Sequence, residues 1–530
     1  MDDWDYIIVG AGSSGCAVTW ELANRLPNAR ILLLEAGPRD RSPFIHVPAG
    51  QIVAVQKHDW GYRTEPDPTR LDVAELWPRG KVLGGSSSIN GTMYVRGAPS
   101  DFDRWAEMMG TAGESWKAEQ VAKLFDAIER GSSTYSERQA PLPIRPVRHP
   151  HRVTKAFVRA ATAVGMRFND NYNQGEQDGV GYAWMTQRLG LRASAATAFL
   201  KPLRNRRNVQ IQSGATVDRI DIDGGRARRV HYRRAGRTQI ARGRHVVLSA
   251  GAIATPKLLM LSGIGEAEML AAHGVTPLID RPQVGRNLRE HPLVRLTYRM
   301  RVPSYSLTEG LWQKLLIGLR YLAGREGPLA NIFEATAFLR SDPAQPVPDL
   351  QLHFMPIGYT KRADGLYGFA PYRSVTVLLN ASHPRSTGRI CLASADPDAA
   401  PRIECQLLSD PRDVEVLMHG IGRVRAIMRT APMTALIDEE TVPGGDVEGT
   451  AALDAFLRAH TGIAYHPAGT CRMGIDADAV VDPSLRLRGV GNLWIADASI
   501  MPDLISGNTN AACMMIGTKL GRELAERDTR

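Results

Sequence analysis

Cysteine is scarce in this chain: five residues, Cys16, Cys391, Cys405, Cys471 and Cys513, are scattered over 530 positions. None forms a CxxC pair, and no Cys/His cluster has metal-ligand spacing. That pattern excludes a disulfide framework, structural zinc and c-type haem attachment, and predicts a reducing compartment and no metal. Long apolar runs are missing as well. No stretch approaches the ~18 residues of a spanning helix, so no integral membrane segment is expected. The acidic start, Met1 to Tyr6, runs straight into a strand-like segment and leaves no room for a basic stretch and apolar core of a secretory leader. The expectation is a cytoplasmic protein. Acidic residues are in deficit, giving a net charge of +10. Yet the densest basic run, Lys201 to Arg207, carries no interleaved aromatic residues. It reads as a solvated surface, not as a nucleic-acid interface.

Glycine is what the chain has in quantity, and its placement is informative. Tyr6-Ile-Ile-Val9 is a buried-type strand, followed at once by Gly10-Ala-Gly12-Ser13-Ser14-Gly15 and a segment with helical apolar spacing. A second apolar run, Ile31 to Leu34, ends in Glu35, 20 residues beyond Gly15. Gly10 permits a tight turn, Gly12 lets the backbone approach a pyrophosphate, and Gly15 lets helix and sheet pack closely. The helix N-terminus then offers free N–H groups to the phosphates, and a carboxylate at Glu35 can hold ribose hydroxyls. Dinucleotide binding follows; NAD and FAD are not separated by this unit alone.

A second glycine-rich stretch, Trp77 to Gly97, contains Gly84, Gly85, Asn90 and Gly91 among buried-type residues Val82, Leu83, Ile89, Met93 and Tyr94. With it, the sequence resembles the glucose–methanol–choline (GMC) oxidoreductase family. Gly80 to Asn90 is similar to that family's first signature, and Gly251 to Gly265 to its second. Further matches are Tyr62 to Pro66, Val284 to Leu288, His383 to Ser386, Tyr465 to Gly474 and the block from Asn492 to Gly517. Within the family the sequence is most similar to the branch of choline dehydrogenase and hydroxymethylfurfural oxidase.

The resemblance implies FAD and an α/β plus α+β fold: a Rossmann-like FAD domain built from discontinuous segments, with an inserted substrate domain containing an antiparallel sheet. The expected FAD segments are 1–155, 193–300 and 462–530, and the substrate segments 156–192 and 301–461. Alternating strands are expected near 349–357, 374–381 and 388–394, with a mobile loop at 358–371. The cofactor set is Gly10, Gly12, Ser13, Ser14, Gly15, Glu35, Gly84, Asn90, Gly91 and Thr509, with Val217 against adenine. Ala250 and Asp497 close two further strand-like runs, where doubly wound sheets bind ligands. Some relatives attach FAD through a histidine in the first signature; the matching residue here is Ile89, which predicts non-covalent FAD.

The chemistry expected is removal of a proton and a hydride from an alcohol, for which a histidine is the suitable base. His466 in Tyr-His-Pro-Ala-Gly-Thr matches the family's catalytic histidine. Asn510 in Gly507-Asn-Thr-Asn510 is read as its partner on the substrate oxygen. His353, on an alternating run, suits either the pocket or a plain sheet position; Tyr465 and Phe333 are further pocket candidates. The partners implied are a small-molecule alcohol, primary and by analogy aromatic or heteroaromatic, and molecular oxygen or another electron acceptor. A hydroxynitrile lyase-type or otherwise non-redox FAD protein on the same scaffold is the alternative.

Overall fold

The computed structural model describes residues 3–130, 140–305, 311–324, 327–361 and 367–529. Five parallel strands form the first sheet, in the order Val209–Ser213, Ile31–Glu35, Trp4–Val9, Gly243–Leu248, Leu493–Ile495. The strands come from segments nearly 500 residues apart; the inner ones are short apolar runs buried on both faces, with Ile31 to Leu34 and Val246 to Leu248 almost wholly enclosed, while the edge strand Val209–Ser213 is half-buried. Helix Ser13–Arg25 leaves the first strand through the glycine turn. Against it lies the C-terminal helix Asn510–Thr529. Its Gly517 approaches so closely that an added Cβ would sit 2.3 Å from the Ser14 carbonyl oxygen. A three-stranded antiparallel sheet, Ala215–Asp223, Arg226–Arg234 and Arg237–Ala241, covers one side.

The second layer is a seven-stranded sheet ordered Ile437–Val442, Pro292–Met300, Ser374–Ala381, Leu350–Met355, Ala335–Leu339, Gly179–Tyr182, with Gly462–Ile463 also pairing with Pro292–Met300. Its pairings are antiparallel. One face packs on helices Arg152–Ala163 and Pro411–Met428 through Val294, Leu296, Leu352, Phe354 and Leu379. The other face looks toward the first layer. Alternation along each strand therefore decides which residues can see the space between the layers.

Strand Pro292–Met300 belongs to this sheet, so the expected FAD segment 193–300 runs past the boundary by about one strand. The sequence carries the sign of it: Val294-Arg-Leu-Thr-Tyr-Arg-Met300 alternates apolar and polar, as a strand of an antiparallel sheet does, whereas Ile31 to Leu34 is apolar throughout. Within the region read as a mobile loop, Tyr359–Lys361 and Tyr367–Phe369 pair as a two-stranded ribbon. Residues 362–366 of that region lie outside the described residues. No helix among the described residues is long and apolar enough to cross a membrane.

Candidate active site

A cavity of about 1050 Å³ separates the two layers and runs from the glycine turn to the inner face of the large sheet. At one end it is built for a dinucleotide. Gly10 has φ +97°, and a Cβ there would meet the Ser249 carbonyl oxygen at 2.5 Å. Gly12 lines the cavity with Ser13 and Ser14, while a Cβ on Gly85 would approach Gly12 Cα to 2.7 Å. Glycine at 10 and 85 lets the turn close against Ser249 and Gly85 close against Gly12, and glycine at 12 leaves bare backbone toward the cavity, as the approach of a pyrophosphate needs. Glu35 lines the same end. Its Oε2 accepts from Ala11 N at 2.9 Å and its Oε1 from Gly37 N at 2.8 Å, which aims the carboxylate into the cavity. Burial pushes its carboxyl up to about 7.

Asp497 caps helix Gly251–Leu261: its Oδ2 accepts from Gly251 N at 2.8 Å and from Thr255 Oγ1 at 2.6 Å. Val217, Ala250, Asn90, Gly91 and Thr509 also line the cavity. Two expected cofactor residues stand behind it. Gly15 touches no cavity space; its missing Cβ would strike the Gly10 carbonyl oxygen at 2.0 Å, so its part is packing. Gly84 donates its N–H to the Ala11 carbonyl at 2.8 Å and leaves the lining to Gly85 and Ser86. Ile89, at the position of covalent attachment in some relatives, is buried with Ile45, Ala54 and Val82 and offers no ring nitrogen.

At the other end His466 is buried, and a directed chain of hydrogen bonds fixes its ring. His291 Nε2 lies 3.0 Å from the Ser382 carbonyl oxygen, which can only accept, so that nitrogen carries the proton. His291 Nδ1 then accepts from His466 Nδ1 at 2.9 Å. On the far side Gln351 Nε2 donates to Asn508 Oδ1 at 3.3 Å, which turns Asn508 Nδ2 toward His466 Nε2 at 3.1 Å. The lone pair of His466 therefore sits on Nε2, inside the cavity. Burial holds the His291 imidazole down near 3 and the His466 imidazole well below 6.5, so both rings are neutral, as the chain requires.

Glu290 anchors the backbone beneath this pair. Its Oε1 and Oε2 accept from His466 N at 2.8 and 2.7 Å, and Oε1 also accepts from His291 N at 2.9 Å. Burial raises its carboxyl to about 8, with the Arg79 guanidinium pulling the other way. Tyr465, just before His466, has φ +68°, a left-handed conformation rare for an aromatic residue. Arg79 Nη2 holds its carbonyl at 2.8 Å. A strained residue clamped on both sides of a buried imidazole is the arrangement of a functional site.

Asn510 is a correction. It lines the cavity, but its Oδ1 accepts from Ser13 Oγ at 2.6 Å, joining the C-terminal helix to the glycine turn. The residue beside His466 is Asn508. The motif Asn-Thr-Asn offers two carboxamides, and the helix begins at the second, so one threonine separates a helix-start contact from a loop contact. His291, Glu290, Gln351 and Asn508 were missed; the first two follow the Val284–Leu288 match by only two or three residues.

His353 faces the cavity, buried, with Nε2 3.2 Å from Asn380 Oδ1 and Nδ1 3.2 Å from Met93 Sδ; burial lowers its imidazole to about 4. Phe333 and Tyr465 line the cavity too. Among the described residues no group of His, Cys, Asp and Glu could hold a metal. Cys471 is buried and its thiol is pushed far up, which suits a packed thiol.

Two GMC oxidoreductase models match the chain, over residues 4–293 and 384–517. The chain is 38% identical over 529 residues to an alcohol dehydrogenase [acceptor] of Pseudomonas putida, covering 97% of this chain and 94% of the relative. It is 39% identical over 531 residues to an oxygen-dependent choline dehydrogenase of Sinorhizobium fredii, with the same coverage. Among solved structures, pyridoxine 4-oxidase from Mesorbium loti superposes with a TM-score of 0.89 at 31% identity, over 98% of this chain and 99% of that one. A nucleotide cradle, a buried imidazole facing it and matches along both halves agree: the chain belongs to the GMC oxidoreductase family, with FAD as its cofactor.

Proposed function

We propose that the protein oxidises an organic alcohol to the carbonyl compound, with His466 Nε2 taking the hydroxyl proton and Asn508 Nδ2 holding the substrate oxygen. The observation that carries this reading is the one-way hydrogen-bond chain from Gln351 to the Ser382 carbonyl, which leaves a lone pair on Nε2 within the cavity. Bound FAD supplies the hydride acceptor. A hydroxyl entering between Asn508 and His466 donates to Nε2 and accepts from Nδ2, replacing the 3.1 Å contact between them. Proton transfer then makes an imidazolium whose Nδ1–H already points at His291 Nδ1, so no side chain has to turn over. The growing charge on the substrate oxygen strengthens its bond from Asn508.

Leu293, Ile332, Phe333, Met355 and Leu378 surround His353 with apolar surface, which suits a primary alcohol with an aromatic or heteroaromatic body. Relatives named for alcohol, choline and pyridoxine all act on molecules that carry a hydroxyl on carbon. Anaerobic bleaching of the flavin by a panel of primary alcohols, followed by air, tests substrate and acceptor together. His466→Ala is expected to slow bleaching about 100- to 10,000-fold. Equal rates in the variant sink the assignment, and cyanide release from a cyanohydrin without bleaching would indicate a lyase.

A further inference from the structure

We infer that the rim of the cavity is a docking surface for an anionic lipid bilayer, seating the mouth of the active site on the membrane. Helix Leu311–Gly324 exposes Leu315, Leu316, Leu319 and Leu322 to 51%, 57%, 52% and 66%. At about 100° per residue these four fall within one arc of roughly 120°, and buried Tyr321 falls on the opposite side. Tyr321 Oη donates to the Gly190 carbonyl at 3.1 Å, which fastens the helix by its inner face and leaves the leucines outward.

The apolar surface continues from there. Leu189, beside Gly190, is 71% exposed at φ +50°. Two residues on, Arg192 Nε donates to the Ile45 carbonyl at 2.7 Å, next to Phe44, which is 40% exposed. Lys57 Nζ sits 5.3 Å from the Phe44 ring centroid. Phe44 leads into helix Gln51–His58, whose Gln51, Ile52, Val55 and Gln56 line the cavity. Ala49 N donates to the Leu329 carbonyl at 3.1 Å, tying the same turn to the segment that brings Ile332 and Phe333 into the cavity. Thus the exposed leucines, Leu189 and Phe44 neighbour helix Gln51–His58, where Gln56 is both exposed and part of the cavity lining.

Charge identifies the occupant. Segments 43–58, 187–192 and 311–324 contain no aspartate or glutamate, whereas Lys57, Arg188 and Arg320 are exposed among the apolar groups. These three segments present exposed cations and no carboxylate of their own, and on a protein of net charge +10 they complement an anionic interface. A second copy of the chain would bring like charges together. No described helix crosses a bilayer, so the mode is peripheral, with leucines in the acyl boundary and cations among the headgroups.

The test is co-sedimentation of the FAD-loaded enzyme with vesicles of phosphatidylcholine, alone or with roughly one quarter phosphatidylglycerol. Binding to the mixed vesicles, reduced by salt, is expected. The variant Leu315→Ser/Leu319→Ser/Leu322→Ser should lower the bound fraction about tenfold or more. Its anaerobic flavin reduction by a small water-soluble alcohol should be unchanged. Arg188→Gln and Arg320→Gln should each weaken binding to the mixed vesicles about fivefold. Failure of the wild type to bind either vesicle, or unchanged binding of the leucine variant, overturns the proposal. So does light scattering that shows a wild-type dimer broken by the leucine substitutions, since the patch would then face a second copy.

Discussion

Asn508 and Asn510 are separated by one threonine, yet one donates toward His466 Nε2 and the other accepts from Ser13 Oγ. Their alanine variants should therefore fail differently. On the mechanism proposed, Asn508→Ala removes the donor to the substrate oxygen, and kcat is expected to fall about 100- to 1,000-fold with FAD retained. Asn510→Ala removes a strut between the C-terminal helix and the glycine turn, so weaker FAD retention on gel filtration is expected, with catalysis in the FAD-loaded fraction largely kept. The reverse outcome would return the catalytic role to Asn510. Spacing along the chain singled out the Asn-Thr-Asn motif but not which carboxamide meets His466, because spacing alone does not report where a helix begins. His466 was named because its motif is long; His291 was passed over because it stands three residues beyond a match read only as far as Leu288. Ile89 makes a separate claim. With no ring nitrogen at the attachment position, all flavin should appear in the supernatant after acid precipitation of the holoenzyme; flavin retained on the polypeptide would contradict this.

Elements in this fold are held at their distances by missing side chains. Helices Ser13–Arg25 and Asn510–Thr529 meet at Gly517, where a Cβ would lie 2.3 Å from the Ser14 carbonyl oxygen, and at Gly521, where it would lie 3.2 Å from that of Val18. Backbone cannot yield as a side-chain tip can. Gly517→Ala is expected to cost about 1–3 kcal/mol through forced separation of the helices. The same separation moves Ser14 and the glycine turn, so the melting temperature and FAD affinity should fall together. A variant that melts lower but keeps its affinity would show that the cradle does not depend on this contact. Strand–turn–helix–strand order at the N-terminus was legible from the switch between apolar runs and helical spacing. Strand Pro292–Met300 was assigned to the wrong layer although Val294-Arg-Leu-Thr-Tyr-Arg-Met300 alternates, because the boundary was placed after the last nucleotide-type motif and not at the change from continuous apolar runs to alternation.

Across the whole molecule, two classes of buried titratable group oppose each other as pH changes. The discontinuous domains hid this from the sequence, because Glu290, His291 and His466 become neighbours only when segments 175 residues apart converge. Burial lowers the imidazoles of His291 to about 3, His353 and His151 to about 4, and His466 well below 6.5. Such groups bind fewer protons folded than unfolded below pH 6.5, so the stability present above that value is lost as pH falls toward their folded values. Burial raises the Glu35 and Glu290 carboxyls to about 7 and about 8 from 4.5. Their contribution is present below 4.5 and lost as pH rises through 7 and 8. Burial also moves the His58 and His245 imidazoles down and the Glu334, Asp413 and Asp497 carboxyls up. The six imidazoles outnumber the five carboxyls between 4.5 and 6.5, and above 6.5 only the raised carboxyls act. The melting temperature of the holoenzyme should therefore climb from pH 4.5 to about 6.5 and decline from pH 7 to 8. Glu290→Gln, which cannot ionise, should flatten the alkaline decline while leaving the acid limb in place. A wild-type melting temperature that stays level or rises between pH 7 and 8 would mean that Glu290 is already ionised in the folded protein, held so by Arg79.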